Sequence, residues 1–403
     1  MSIRIRPLAE GELRAWSQAV YTAFGEESRD DDFASFERIA EPDRILAAVD
    51  GEAIVGGGGA FTYRLTVPGG EVGAAGVTAV GILPTHRRQG ALTQLMQAQL
   101  DDVAGRGEPV AILWASEGSI YQRFGYGLAA LEARLEVPRA HSAFRLPATP
   151  EGAARIVDRE TAAGRFPAVY EALRASTPGF FDRSSAWWDV EVLDDLEHHR
   201  RGAGPKRFVL YEVDGAVEGY LIYRIAGDWQ KRALEVRELM ATSPRAMREL
   251  WRFCFGHDLI TAIRAGRQAV DHPLLLLAAE PRHLELKAGD GLWLRIVDVA
   301  GALSGRGYAA SDRVVLAISD SFRPQNAGCW VLDTTGERPR AERTDEAPDI
   351  ALDITDLACL YLGAFSADDL ARAGRSTEST EGARARLDAL FRTDRKPWCP
   401  QVF

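Results

Sequence analysis

The stretch Val77-Thr-Ala-Val-Gly-Ile-Leu-Pro-Thr-His-Arg-Arg-Gln-Gly-Ala-Leu-Thr-Gln-Leu-Met96 decides how this chain is read. Its first half alternates small and branched apolar residues, as a β-strand does. Pro84 turns the chain, and Arg87-Arg88-Gln89-Gly90 makes a basic loop. Leu92, Leu95, Met96 and Leu100 then recur at helical spacing. A strand that delivers a glycine loop to a helix N-terminus makes an anion site, because free backbone N–H groups and the positive end of the helix dipole converge there. Gly90 has no side chain to hold a phosphate away from the backbone. The two arginines add fixed charge suited to a diphosphate.

Spacing narrows the ligand. A P-loop requires lysine and then Ser or Thr after its second glycine, and a dinucleotide fingerprint requires three glycines at set offsets. Neither pattern is present. The run Gly56-Gly57-Gly58-Gly59 also lacks both, and its place between strand-like segments reads as a bulged part of an antiparallel strand. By contrast, Ile82-x-Pro84-x-His86-Arg87-Arg88-x-Gly90 ahead of an apolar helix resembles the acyl-CoA loop of the GNAT acetyltransferases, whose usual form is Arg/Gln-x-x-Gly-x-Gly/Ala. Leu92 stands where that form has its second small residue, a departure that points toward one subfamily.

At 403 residues the chain predicts two or three domains, given roughly 150 residues for each. No apolar run approaches the ~20 residues of a membrane helix. Met1-Ser-Ile-Arg-Ile-Arg-Pro7 opens directly into strand-like alternation, without the pattern of a secretory signal. Cys254, Cys329, Cys359 and Cys399 are scattered without metal-binding spacing, as in a reducing cytoplasm, and no metal is expected. A formal charge of −10 argues against nucleic acid as the main partner and is compatible with a cationic substrate.

The fold class read from the sequence is α/β (α+β), in three parts. Residues 1–137 form a mixed unit: a strand over Ile3–Leu8, a helix over Gly11–Phe24, an acidic loop from Glu26 to Asp32, and two strands joined at Asp50-Gly51, a strong turn dipeptide. The opening stretch follows, and then a strand over Val110–Trp114. Residues 138–286 repeat this order, with a hairpin around Asp214-Gly215, a strand at Leu234–Met240, a helix through Leu250 and Trp251, and a strand at Ala269–Leu276. Their turn, Ala241-Thr-Ser-Pro-Arg-Ala-Met247, has no Arg-x-x-Gly, so the second copy lacks the cofactor loop. Residues 287–403 change character. Leu292–Val299 opens this part, strands follow at Val314–Ile318 and Cys329–Asp333, a surface loop spans Gly336–Asp349, and helices at Asp353–Tyr361 and Ala383–Phe391 pack on the sheet. Gly291-Leu-Trp-Leu-Arg-Ile296 and Leu360-Tyr-Leu-Gly363 resemble a sterol-carrier-like domain.

Two acetyltransferase-like units, that C-terminal part, Pro84–Gly90 and the run Ser116-Glu-Gly-Ser-Ile-Tyr-Gln-Arg-Phe-Gly-Tyr-Gly127 together resemble the Eis (enhanced intracellular survival) family along the whole chain. The resemblance implies tandem GNAT-like domains with mixed sheets flanked by helices, and a cytoplasmic acetyl-CoA-dependent N-acetyltransferase. Its substrates would be primary amines of aminoglycosides or lysine side chains, with no nucleic acid or membrane partner, in a homohexamer. It further implies that backbone groups of Val80 and Ile82 hold the pantetheine arm, that Arg87, Arg88, Gly90, Ala91 and Leu92 surround the pyrophosphate, and that Ser116 and Glu117 lie near the cofactor. Tyr121 would be general acid toward the departing thiolate, and the carboxylate of Phe403 general base toward the substrate ammonium.

By pattern alone Tyr121 and Tyr126 are packing residues in a cluster with Phe124, and the resemblance selects Tyr121. A chain end is ordinarily frayed, yet Trp398-Cys-Pro-Gln-Val-Phe403 is apolar enough to dock. His86 reads as a loop residue. The acidic run 26–32 reads as a solvated face; the sharper reading has Glu26 receive cationic amines, with Phe33 and Phe36 as apolar or cation–π walls. Val402 supplies no acidic side chain beside Phe403. The alternative functions are a lipid- or sterol-binding protein, or an acetyl-CoA-binding scaffold without turnover.

Overall fold

The computed structural model describes residues 3–403. They fall into two compact units: one holds the residues through Ala130 with Asp290–Pro397 and Val402–Phe403, the other Leu131–Gly289 with Trp398–Gln401. The first unit begins with β1 (Arg4–Pro7), α1 (Leu13–Phe24), α2 (Asp30–Glu37), β2 (Leu46–Asp50), β3 (Ala53–Val67), β4 (Gly70–Ile82), α3 (Ala91–Gly105), β5 (Val110–Trp114), α4 (Gly118–Gln122) and β6 (Tyr126–Leu128). Then come β7 (Leu131–Pro138), β8 (Ala153–Val157), α5 (Arg159–Arg174), α6 (Ser185–Trp187), β9 (Arg207–Val213), β10 (Ala216–Ala226), β11 (Ala233–Ala241), α7 (Pro244–Phe255), β12 (Ala262–Gln268), α8 (Leu274–Leu277) and β13 (Lys287–Asp290). The chain ends with β14 (Leu292–Ile296), α9 (Val299–Ser304), β15 (Arg313–Ser319), β16 (Gly328–Asp333), β17 (Arg340–Arg343), β18 (Ile350–Asp353), α10 (Ile354–Tyr361), α11 (Ala367–Arg372), β19 (Ser376–Glu378) and α12 (Ala383–Phe391).

The first sheet runs β1-β2-β3-β4-β5-β14-β6 and the second β8-β9-β10-β11-β12-β7-β13. Position by position the two correspond. Each has a hairpin, a strand that leads into a long helix, and a parallel strand after that crossover: β4–α3–β5 in one, β11–α7–β12 in the other. Asp50-Gly51 closes β2–β3 and Asp214-Gly215 closes β9–β10. Asp214 and Gly215 both have positive φ (50° and 81°), the backbone of the primed hairpin turns. The C-terminal part carries its own sheet, β17-β16-β15-β18-β19.

The glycine run is part of β3, as read. A Cβ on Gly57 would come within 2.1 Å of the Leu46 carbonyl oxygen and 2.3 Å of Trp16 Nε1. The indole of Trp16 in α1 therefore packs directly against β3 and donates to that carbonyl at 3.2 Å.

Four local expectations differ. Leu292–Ile296 does not open the third sheet; it inserts between β5 and β6 of the first, antiparallel to both. A strand apolar at every position but Arg295 suits a sheet covered on both faces, and pattern alone does not say which one. The parallel partner of β11 is Ala262–Gln268, not Ala269–Leu276, where the leucines form the short α8. Periodicity does not separate a short apolar helix from a buried strand. Asp30–Asp32 are the first turn of α2 and not loop, favoured there by the positive end of the helix. Within Gly336–Asp349, Arg340–Arg343 pairs with β16 as a charged edge strand, whose composition reads as loop.

The core below the first sheet joins Met96, Leu100 and Val103 of α3 to Ala75 and Val77 of β4 and to Ala111 and Leu113 of β5. The C-terminal part is fastened to this core. Arg295 of β14 is wholly buried and donates to Asp320 at 2.7 Å, and Arg323 donates to Asp101 of α3 at 2.7 Å.

Candidate active site

The site begins where two strands part. β4 and β5 pair in parallel from Ala74–Gly76 against Val110–Ile112, and the pairing stops there although both strands continue. β5 spends its other edge on β14 along its whole length. The departing half of β4 therefore has one edge turned away from its neighbour strand. On its β3 side, Ala79 and Val80 face Gly58 alone, a bulge that puts Ala79 at φ 54°. A bulge re-aims backbone groups, here those of Thr78–Gly81.

β4 then feeds the loop. Pro84–His86 forms a 3-10 turn, Arg88 has φ 61°, and Gly90 sits at φ 82° as the N-cap of α3 with no side chain capping it. A Cβ at Gly90 would meet nothing within 4 Å, so the left-handed backbone, and not crowding, demands glycine. Arg88, Gln89 and Gly90 are exposed beside the helix N-terminus, Ala91 is buried and Leu92 half-buried. Arg87 is occupied otherwise: Nε donates to the Ile82 carbonyl at 3.0 Å and Nη2 to that of Ala23 at 2.7 Å. It splints the loop to β4 and α1. His86 is likewise held, within 2.8 Å of Thr85 Oγ1 and 3.4 Å of the Asp50 carboxylate.

Ser116 and Glu117 follow β5 and are exposed. α4 comes next, its start pressed on Trp293, where a Cβ at Gly118 would come within 2.6 Å of the indole. Tyr121 belongs to the core that holds Ala75 and Val77, keeps 7% exposure, and meets Tyr126 edge-on at 5.9 Å. Burial raises the pKa of its phenol. Tyr126 is fully buried, with its hydroxyl unpartnered among the described residues, and burial pushes its pKa up as well.

Phe403 brings the chain end to β4. Its ring meets that of Tyr63 edge-on at 5.3 Å. A Cβ on Gly76 would lie 2.2 Å from Tyr63 Cε2 and 3.3 Å from Phe403 Cδ2. Gly76 is also the last β4 residue paired with β5. Phe403 is thus seated where the strands part. In the second unit Trp398 docks separately, donating to the Arg267 carbonyl at 2.7 Å and meeting Phe180 edge-on at 5.2 Å. Neither Tyr63 nor Gly76 stands out in the sequence; glycine inside a strand, which marks close approach by another group, was the available signal, and β4 carries four.

The three residues expected to receive amines are placed differently from one another. Glu26 is exposed just past α1, whose Ala23 and Phe24 lie against Gly81 of β4. Phe33 is covered by the Arg14 guanidinium at 4.7 Å, and Phe36 stacks on Trp16 at 5.8 Å.

An exposed, uncapped helix N-terminus after a bulged strand, with an unpaired β4 edge leading to it, fits the diphosphate and the peptide-like arm of an acyl-CoA. This arrangement defines an acetyltransferase of the GNAT class. The acetyltransferase (GNAT) domain model matches residues 4–129 and a second such model residues 179–296, and the sterol carrier protein domain model matches residues 299–400. An uncharacterized N-acetyltransferase of Streptomyces avermitilis is 36% identical over 100% of both chains. N-acetyltransferase Eis of Mycobacterium tuberculosis is 36% identical, covering 85% of this chain and 84% of that one. The crystal structure of Eis1 from Mycobacterium abscessus superposes with a TM-score of 0.86 at 33% identity over 100% of each chain. The chain belongs to the Eis family of N-acetyltransferases and uses acetyl-CoA. Among the described residues no helix is long and apolar enough to cross a membrane.

Proposed function

We propose that the chain transfers the acetyl group of acetyl-CoA directly to a primary amine, of an aminoglycoside-like polyamine or a lysine side chain, with the Phe403 carboxylate as base and Tyr121 as acid. The observation that carries this reading is the seat of Phe403 on Gly76 and Tyr63, at the point where β4 leaves β5 and runs to the α3 loop. An ammonium must lose a proton before its nitrogen can attack. The terminal carboxylate takes that proton, and the freed amine forms the C–N bond at the acetyl carbonyl. Backbone N–H groups of the bulged Thr78–Gly81 segment polarise that carbonyl. The C–S bond breaks, the Tyr121 hydroxyl gives its proton to the sulfur, and the nitrogen sheds its second proton as the amide forms, which restores the Tyr121 phenol through solvent. Arg88 and the N–H groups of Gly90–Leu92 bind the diphosphate, while Arg87 holds the loop in shape. The acidic balance of the chain and the exposed Glu26 favour a cationic acceptor. A homohexamer belongs to the same proposal and is tested by light scattering.

The test is thiol release from acetyl-CoA with aminoglycosides, polyamines and lysine peptides, using the native terminus and a variant extended beyond Phe403. Turnover with the native terminus and its loss on extension, with acetyl-CoA binding retained, is the expected result. Equal turnover by both removes the carboxylate as base. Binding without turnover on any amine transfers the reading to a scaffold or lipid-binding protein.

A further inference from the structure

We propose that His141, Glu280 and His283, in the second unit, bind a divalent cation of the zinc class at a site that uses none of the acetyl-transfer residues. His141 ends a 3-10 turn directly after β7, and His283 lies in the 3-10 turn Pro281–Leu284 ahead of β13. Backbone bonds lace their neighbourhoods together. The Ala279 N–H donates to the Ala143 carbonyl at 2.8 Å and the Arg145 N–H to that of Leu277 at 2.9 Å, around the bridge between Phe144 and Ala278. Each turn is also anchored inward. Leu284 is 1% exposed in the core of this unit, and Arg139 donates to the His257 carbonyl and to Ser142 Oγ, both at 3.0 Å. Rigid backbone on both sides presents the two imidazoles together before any ligand arrives.

The rings stack at 3.6 Å with planes 6° apart. One Glu280 carboxylate oxygen lies 3.3 Å from His141 Nδ1 and 3.2 Å from His283 Nε2. These separations exceed the ~2.7–2.9 Å of a charged N–H···O bond. They lie close to the ligand–ligand edges of a tetrahedron with bonds of about 2.0–2.1 Å, which come to about 3.3–3.4 Å. All three donor atoms lie within 4.8 Å of one another. Two imidazoles and a carboxylate suit zinc and its borderline neighbours, whereas magnesium and calcium require oxygen sets. Because a nitrogen lone pair lies in its ring plane, coordination turns a ring about χ2, a broad torsion for histidine. The side chains, 32% and 37% exposed, have room for it, and the exposed Glu280 side leaves a fourth position for water. A bound ion ties the exit of β7 to the approach to β13 and stabilises this unit by mass action.

The test uses full-length protein without a histidine tag, stripped with EDTA and titrated with Zn²⁺ and Co²⁺. Metal content, melting temperature and the Co²⁺ visible spectrum are the readouts. Wild type is expected to take up about one zinc per chain more than His141→Ala/His283→Ala, to melt higher with zinc but not with magnesium, and to give tetrahedral Co²⁺ bands. Glu280→Gln, which keeps both rings, is expected to weaken binding several-fold. Equal uptake by wild type and the double variant, uptake unaffected by Glu280→Gln, or no uptake by wild type overturns the proposal.

Discussion

The burial of Tyr121 suits the proton-donor role proposed for it. Its phenol pKa is raised by desolvation, so the hydroxyl keeps its proton below about pH 10, the unperturbed value, and beyond. A raised pKa moves loss of the acid upward, and kcat is expected to show no alkaline descent from this group across the neutral range. Tyr121→Phe keeps the ring against Tyr126 and deletes the proton. It is expected to lower kcat by about 10²-fold or more while barely changing acetyl-CoA affinity. Steady-state kinetics beside calorimetric titration check this, and an unchanged kcat would refute the acid role. At Gly76 a methyl group would collide with the Tyr63 ring and press on Phe403. Gly76→Ala is expected to cost about 1–3 kcal/mol by overpacking and to reduce kcat by displacing the terminus. Urea melts and turnover on the same preparation separate the two effects.

At the scale of elements, the second unit keeps the GNAT strand order without the Arg87–Gly90 loop of the first. α7 starts at Ser243, whose hydroxyl accepts from the Ala246 N–H, so this helix N-terminus is capped where that of α3 is open. Between β12 and α8 the second unit also carries a pH-sensitive group. His272 Nδ1 accepts from the Leu274 N–H at 3.1 Å at the start of α8, and burial pushes its pKa down to about 4. The unfolded value is near 6.5. A depressed pKa gives stability that is whole above pH 6.5 and declines as pH falls toward 4, by up to about 3 kcal/mol. Scanning calorimetry between pH 7 and 4 is expected to show that decline in wild type and a flatter one in His272→Gln, which retains an acceptor. Equal slopes would assign acid sensitivity elsewhere.

At the scale of the whole molecule, the C-terminal part carries side chains on which the first sheet depends. The carboxylate of Asp320 accepts from Arg295, from Asn326 Nδ2 and from the backbone N–H of Arg323, all nearly inaccessible to water. Arg295 lies under Gly125, where a Cβ would come 2.4 Å from its guanidinium, a few residues from Tyr121. Removing one partner of a buried ion pair strands the other charge. Asp320→Ala is therefore expected to destabilise the first unit by about 3–5 kcal/mol and to lower acetyl transfer with it. A stable, fully active Asp320→Ala protein would show that the sterol-carrier-like part is an independent appendage.

Much of this architecture was legible in residue order because it is local. Alternation wrote β4, a short apolar run wrote β5, Asp-Gly dipeptides wrote the hairpins, and the Arg87–Gly90 loop with its helix wrote the proposed cofactor site. Even the docking of the tail was signalled by its apolar composition. What depended on distant chain could not be read. The sequence assigns β14 to whatever follows it, whereas tertiary structure pairs it with β5, since a strand apolar at all but one position is compatible with any doubly covered sheet. Arg87 and Arg88 look equivalent in the motif; only the fold turns Arg87 onto the Ala23 and Ile82 carbonyls. Tyr63 and Phe403 meet because a strand glycine leaves room for both rings, and His141 meets His283 because two remote turns share a backbone bridge. Local pattern specifies each element through φ, ψ and periodicity. Which elements become neighbours is decided by burial summed over the whole chain, and those neighbours create the chemistry.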